Sequence, residues 1–586
     1  MATETELKFR IPAARLAAVR RAVATRTAVV EPLAAVYFDT PDERLAQARI
    51  ALRLRHEAGG WVQTLKAEGT LALQRLEHNS PLVAADLGGP GATPTRPRLD
   101  LQRHAGSEAG AVLAKVLSRG LGKAPLAAPL PVPAGELLVA RYATEVRRTR
   151  RVLRFEGARI ELALDEGRIT AGEVDCAVCE IEFELLSGPP QALLHLAARW
   201  VARFGLVLDV RSKSERGHRL ALGQRSSPPT RARPLRLSRR AAPSTALAAM
   251  LGNALGQVLA NASPLAELAE LAESPSPSTA AQAVEPPSGA APDPQPDPEL
   301  LHQLRVGLRR LRTVLQVFAP LLPASVTDLA PDLAQLFAQL GAARDRDAMA
   351  ESLWPALRAA GAPWVESPAT LALAGPDPLP ALLASPAVQQ LWLALLATAL
   401  EAPLATPLAA ESAPTTPADT VGHAAARAAA SAVAATPAAT PAEAATETAA
   451  EAPASLRRAF SAPLRHLLRQ VQRDAARFER LDDAQRHRLR RRIKRLRYAT
   501  ELTLALWPAR PAARLLRRLA QAQTPLGDLN DCVVAQAHCR DLATQTPQAW
   551  FAVGWLSARR QSLEPACIAA LARLAKCKAG KACWPG

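Results

Sequence analysis

Aromatic side chains are scarce in this chain, with three tyrosines and ten phenylalanines among 586 residues. Single-stranded nucleic acids are usually held by stacking their bases on aromatic platforms, so a nucleic-acid partner is disfavoured. Cysteine is scarce as well, and seven in so long a chain exclude a disulfide framework. Cys176 and Cys179 form a lone CxxC with no second pair, which argues against a paired-cysteine metal centre. No apolar run reaches membrane-spanning length; Leu391 to Leu400 comes nearest and stops at Glu401. The opening residues lack a basic-then-apolar leader pattern, and no Gly-rich Walker loop is visible. The expectation is a cytoplasmic chain with no membrane partner.

Positive charge and proline are abundant instead. The 72 Lys and Arg exceed the 54 Asp and Glu, giving a net charge of +18 and a pI near 10.4. That balance implies an anionic partner, such as a phosphate-rich ligand. The length exceeds what one core supports, so two or more domains are expected. Fifty prolines mark linkers between them.

The stretch Glu4-Thr5-Glu6-Leu7-Lys8-Phe9-Arg10 carries a charge at every second position. In a β-strand those four side chains share one face. A solvated strand would look the same, but the pattern recurs. Pro12 to Ala24 has helical spacing, and Ala35 to Thr40 runs into a Pro41-Asp42 turn. Ile50 to Arg55 alternates apolar with cationic residues, and Trp61 to Lys66 follows a Gly59-Gly60 turn as in a hairpin. Arg75 and Glu77 alternate, as do Arg148 and Arg150. Arg159 to Asp165 reads as a strand ending in a turn at Glu166-Gly167, and Glu180, Glu182 and Glu184 share a face. If the apolar faces pack outward against helices, the charged faces line a closed antiparallel barrel, and about eight strands leave room for one small ligand. Buried charges persist only when paired or bound. A cationic ring opposite carboxylates suits a polyanion carried with a divalent metal.

The ordered set of ExExK at Glu4, Glu6 and Lys8, Tyr37-Phe38-Asp39-Thr40, Arg53, Arg55, Lys66, Arg75 with Glu77, Arg148, Asp165, Glu180 with Glu182, and Lys213 resembles the CYTH family of triphosphate tunnel enzymes. The resemblance covers residues 1 to about 220. It implies that Glu4, Glu6, Asp165, Glu180 and Glu182 hold Mg²⁺ or Mn²⁺. It implies that Lys8, Arg10, Arg53, Arg55, Lys66, Arg75, Arg148 and Lys213 bind the triphosphate. Lys8, Tyr37 and Lys66 would be the catalytic side chains, with Tyr37 orienting Lys8. Glu184, near its strand end, is assigned a structural part.

Residues 221–242 read as a Pro-, Ser- and Arg-rich linker, and helical periodicity begins near Ser244. Low-complexity tracts at about 274–298 and 401–454 lack the bulky side chains that offset ordering entropy. Between them sits a repeat: His302 to Arg312, with Leu340-Gly341 and Asp345 beyond it, and His487 to Arg497, with Leu526-Gly527 and Asp531 beyond it. On a helix His302, Arg305, Arg309 and Arg312 form one stripe, and His487, Arg490, Lys494 and Arg497 form another. Leu304, Leu308, Leu311 and Leu315 make the packing face of the first. Solvated basic helices would also show such stripes, yet two in matching register make a cationic groove for a linear polyanion. These runs, with Lys494-Arg495-Leu496-Arg497-Tyr498, resemble the CHAD family over about 243–560. The resemblance implies that both stripes bind inorganic polyphosphate. Residues 561–586 are left as a basic C-terminal tail.

The expected fold is α+β and multidomain: an N-terminal antiparallel eight-stranded β-barrel, then an all-α helical bundle with an internal two-fold repeat. The expected function is metal-dependent hydrolysis of inorganic triphosphate to pyrophosphate and phosphate, with polyphosphate bound by the helical half and association with polyphosphate granules. The alternatives are an adenylate cyclase, a thiamine or nucleoside triphosphatase of the same fold, and a non-catalytic polyphosphate-binding scaffold.

Overall fold

A computed structural model describes residues 3–68, 74–82, 97–118, 138–224, 226–273, 297–348, 353–363, 378–400 and 456–584, with the side chains of 3, 68, 74, 270–273, 342–348 and 581 left out. The tracts expected to be low in complexity fall almost wholly outside the described residues, as does the side chain of Asp345.

The barrel strands are β1 (Thr3–Arg10), β2 (Val29–Asp39), β3 (Ile50–Glu57), β4 (Gly60–Glu68), β5 (Gln74–Pro81), β6 (Val139–Phe155), β7 (Ala158–Ala171) and β8 (Val174–Ser187). They run in the order β5-β4-β3-β2-β6-β7-β8-β1, and β1 pairs back to β5 through Glu4 opposite Arg75, which closes the sheet. Every pairing is antiparallel, and a two-residue β9 (Val207–Leu208) adds to the outer end of β1. The alternation seen in the sequence sorts the two faces. Leu7, Phe9, Leu52, Leu65, Ile160, Leu162, Ile181 and Phe183 are buried on the outside of the barrel, while the charged residues between them point inward. Helices α1 (Leu16–Val23) and α2 (Glu108–Leu117) cover part of that apolar surface, and α3 (Pro190–Phe204) lays Trp200 edge-on to Phe183 at 5.5 Å.

The turn expected at Glu166-Gly167 is not formed; β7 runs straight through it. The glycine serves a close approach instead, since a Cβ there would stand 2.0 Å from the Glu145 carbonyl oxygen on β6.

Helix α4 (Lys213–Ala221) caps one end of the barrel. The helical half follows as α5 (Pro243–Glu273), α6 (Pro298–Val317), α7 (Ala330–Ala348), α8 (Pro386–Leu400), α9 (Leu456–Ala476), α10 (Asp483–Leu502), α11 (Ala509–Ala543) and α12 (Trp550–Ala575). Asp297 caps α6, with Pro298 at its first position and Glu299 in its first turn; Asp482 and Gln485 form a capping box on α10. Leu304, Leu308, Leu311 and Leu315 are buried as their spacing requires.

One apolar core joins the barrel's outer face to the helices, running from Leu7 and Phe183 through Trp200, Leu255 and Leu311 to Phe460 and Leu571. The stretch read as a tail belongs to this core. Residues 561–575 complete α12, and Leu571, Leu574, Cys583 and Trp584 are buried. The linker is docked too: Leu237 is buried, and Asn261 of α5 both donates to and accepts from the Thr230 backbone.

Candidate functional site

The barrel encloses a cavity of about 320 Å³ lined by Glu4, Glu6, Lys8, Tyr37, Arg53, Arg55, Lys66, Arg75, Arg148, Asp165, Glu182 and Lys213. These residues come from every strand except β9, together with the start of α4. Strand pairing sets their levels: Lys8 lies opposite Glu182, and Arg10 opposite Glu180, which faces Asp165.

Two carboxylate groups result. In the first, the Lys213 ammonium lies 2.6 Å from Asp165, 2.5 Å from Glu180 and 2.8 Å from Glu182. Arg148 bridges Asp165 and Glu182 at 2.7 and 2.5 Å, and Arg216 pairs with Glu180. Burial alone would push Glu182 up, but Lys213 and Arg148 outweigh it and hold the carboxyl well below its usual range. Burial depresses Lys213 less than the three carboxylates raise it, so it stays an ammonium. One oxygen from each of Asp165, Glu180 and Glu182 falls within 4.8 Å of the others, a spacing that fits a single hard cation.

In the second group, Lys66 lies 2.8 Å from Glu4 and 2.7 Å from Glu77. Burial, opposed by Lys66 and helped by the hydrogen bond to Glu77, raises Glu4 to about 9, while Glu77 is held ionised. The pair thus shares one proton, as neighbouring carboxyls do when only one can ionise. Glu6 sits beside Arg75 at 3.6 Å.

Two expected residues lie outside the cavity lining. Arg10 is buried against Asp209 at 3.5 Å, and Glu180 is 1% exposed beneath Lys213. The Tyr37 hydroxyl accepts from Arg53 at 3.0 Å rather than orienting Lys8, and its ring stacks on Tyr142 at 4.7 Å. The sequence pattern missed Asp209 and Arg216, which follow the last long strand and so carry no period-two signal. It also missed Glu31, whose carboxylate receives Arg150 at 2.9 Å.

A second cavity, of about 980 Å³, opens between α6, α7, α10, α11 and α12. His302, Arg305, Arg309, Arg312, His487, Arg490 and Lys494 all line it, and so do Arg488, Arg491, Arg495 and Arg559. The two stripes therefore face one space. Arg497 is the exception: it pairs with Glu501 at 2.8 Å and Gln523 at 3.3 Å. His487 meets Asn530 at 2.6 Å, and Arg490 meets Asp531 at 3.4 Å. Burial, then the positive fields of Arg309 and Arg490, pull Lys494 down to about 7. Among the described residues no helix is long and apolar enough to cross a membrane.

Residues 2–217 match the CYTH domain family and residues 282–540 the CHAD domain family. An inorganic triphosphatase from Haemophilus influenzae is 30% identical over 191 residues, which is 32% of this chain; the chain spans 46% of that protein, about half its length. The CHAD domain from the plant Ricinus communis is 28% identical, covering 60% of this chain and 97% of its own, with a TM-score of 0.39. A Hippeastrum adenylyl-cyclase candidate with a dominant triphosphatase activity is 18% identical, covering 38% of this chain and 96% of its own, with a TM-score of 0.26.

Proposed function

Because the chain is a CYTH domain joined to a CHAD domain, we propose that it hydrolyses inorganic triphosphate in the barrel, with a divalent metal, and binds inorganic polyphosphate in the helical half. The observation that carries this is the convergence of opposed carboxylates and cations inside one closed barrel. A passive anion binder gains nothing from buried carboxylates, which repel its ligand. Residues 1–220 are the tunnel unit and 221–242 its docked connector. The helical unit runs from 243 to the end of the described chain and is built from a duplicated basic helix.

Lys8, Arg53, Arg55, Lys66, Arg75, Arg148 and Lys213 bind the phosphates and neutralise the charge that would repel an incoming water. Asp165, Glu180 and Glu182 would hold the metal, with Glu4 and Glu6 as further oxygen donors. When bound, Mg²⁺ or Mn²⁺ supplies Lewis-acid neutralisation of phosphate oxygens and a water of lowered pKa. Water oxygen bonds to the terminal phosphorus as the bridging P–O bond breaks, releasing phosphate and pyrophosphate. The water's proton passes to an ionised carboxylate of the lining.

Tyr37 is the one aromatic residue lining the cavity among the described residues, so no platform for a nucleobase or thiazole ring is offered. A panel of triphosphate, thiamine triphosphate, ATP and long polyphosphate, each with Mg²⁺ and Mn²⁺, tests the assignment. Inorganic triphosphate should give a kcat/KM about tenfold or more above the organic substrates, the discrimination expected when no pocket rewards the organic part. Equal or better turnover of ATP would remove it.

A further inference from the structure

The two basic helices meet their shared cavity unequally. On α6 the guanidinium carbons of Arg305, Arg309 and Arg312 lie 4.7, 5.6 and 4.8 Å from the centroid of one ring, that of Phe337 on α7. Like charges on successive turns of a helix repel, and an aromatic ring that attracts each of them offsets that repulsion. Arg305 also donates to the Phe337 carbonyl at 3.5 Å, and its Nη1 passes 3.5 Å from where a Cβ of Gly341 would stand.

On α10, Arg490 passes Gly527 in the same manner, its Nη2 3.9 Å from the missing Cβ. Four residues before Gly341 stands Phe337; four before Gly527 stands Gln523. Gln523 offers no ring. Its Oε1 accepts from Arg497 while Glu501 accepts from the same guanidinium. Arg497 holds the place after His487 that Arg312 holds after His302, yet Arg312 lines the cavity and Arg497 does not.

From this juxtaposition we infer that Phe337 is the positioning residue of the cationic cavity, and that Arg312 grips a polyanion while its counterpart Arg497 is withheld by Gln523 and Glu501. The inference rests on polyphosphate being the ligand and on the two helices being copies.

The test titrates the full-length protein with long-chain inorganic polyphosphate at several salt concentrations. Arg312→Ala should weaken binding about tenfold and flatten the dependence of log affinity on log salt by about one contact's worth. Arg497→Ala should change affinity less than about twofold and leave that slope unmoved, as expected of a cation making no phosphate contact. Phe337→Gln should weaken binding about tenfold, within the range expected when one ring's attraction for several cations is removed, and Phe337→Trp should recover it. Melting temperatures show that each variant is folded; should Phe337→Gln unfold, the Arg312 and Arg497 pair still decides. Equal losses at Arg312 and Arg497, or Phe337→Gln binding as tightly as the natural chain, would overturn the inference while leaving polyphosphate binding intact. Failure of the natural chain to bind polyphosphate would instead overturn the reading beneath it.

Discussion

Lys213 illustrates how a single side chain ties the tunnel's stability to its carboxylates. Its ammonium is the shared counter-ion of Asp165, Glu180 and Glu182. Replacing it with Met leaves three buried carboxylates short of a cation, and breaking such a pair costs about 3–5 kcal/mol. In chelator, Lys213→Met should therefore melt below the natural chain, and Mn²⁺ should raise its melting temperature by more than it raises the natural chain's. A melting temperature indifferent to Mn²⁺ in both proteins would remove the cation site from these residues. At the second cavity, Lys494 is pulled down to about 7, so it loses its proton across neutral pH. A bound polyanion favours the charged form and draws a proton back, so polyphosphate affinity should fall as pH rises from about 6 to 8. Lys494→Arg should flatten that profile in a binding titration. Without ligand the sign reverses. The unfolded chain then binds more protons at this site than the folded one above pH 7, so stability rises with pH until the ordinary lysine range. The alternation of charge announced most tunnel residues, because a strand's period of two assigns faces directly. It could not separate the cavity layer from the layer beneath, which is why Arg10 and Glu180 were expected in the lining.

At the scale of elements, two glycines fix how helices dock. Gly217 of α4 lies flat on the Tyr142 ring, and a Cβ there would meet Tyr142 Cδ2 at 2.2 Å. The same tyrosine's hydroxyl bonds Ser214 at 2.7 Å, so Gly217→Ala should lift α4 and its Lys213 from the barrel. Triphosphate turnover should drop sharply, at a stability cost of about 1–3 kcal/mol, measured by chemical denaturation. Gly307 sits in the middle of α6, where Ala would be favoured by about 1 kcal/mol on helix propensity alone. A Cβ there would stand 2.8 Å from Val258 Cγ2 on α5, and Val is stiff at χ1. Gly307→Ala should accordingly destabilise the protein; a stabilised variant would show that α5 and α6 are less tightly packed. Helix periodicity exposed the basic stripes and the buried leucines of α6 without help. It could not show why a glycine sits within the basic helix, because that reason lies on a neighbouring helix. Nor could periodicity place the Glu166-Gly167 pair, where a turn signal proved to mark a close strand approach.

For the molecule as a whole, the barrel and the helices share one core, and polar contacts reinforce it. Leu208 N donates to Gln389 Oε1 at 2.8 Å, and Arg211 joins Asp209 near the tunnel floor to Glu267 on α5, both at 2.7 Å. The two halves should therefore unfold in a single transition. Gln389→Leu, which strands a buried amide at a cost of about 1–3 kcal/mol, should lower that transition without splitting it; two separated transitions in calorimetry would show independent halves. The sequence's composition pointed to separate domains because Pro- and Ala-rich tracts read as boundaries. The burial of Leu571 and Trp584 against residues far earlier in the chain is a long-range fact that no local pattern encodes.

The most direct test is phosphate release from inorganic triphosphate by the purified full chain, comparing the natural protein with Glu182→Gln across a Mg²⁺ titration. The tunnel account predicts activity that rises with Mg²⁺, vanishes in chelator, and falls at least about a hundredfold in the Gln variant, the size of effect seen when a key charge-stabilising group is removed. Release that is equally fast in both proteins and unaffected by chelator would contradict it.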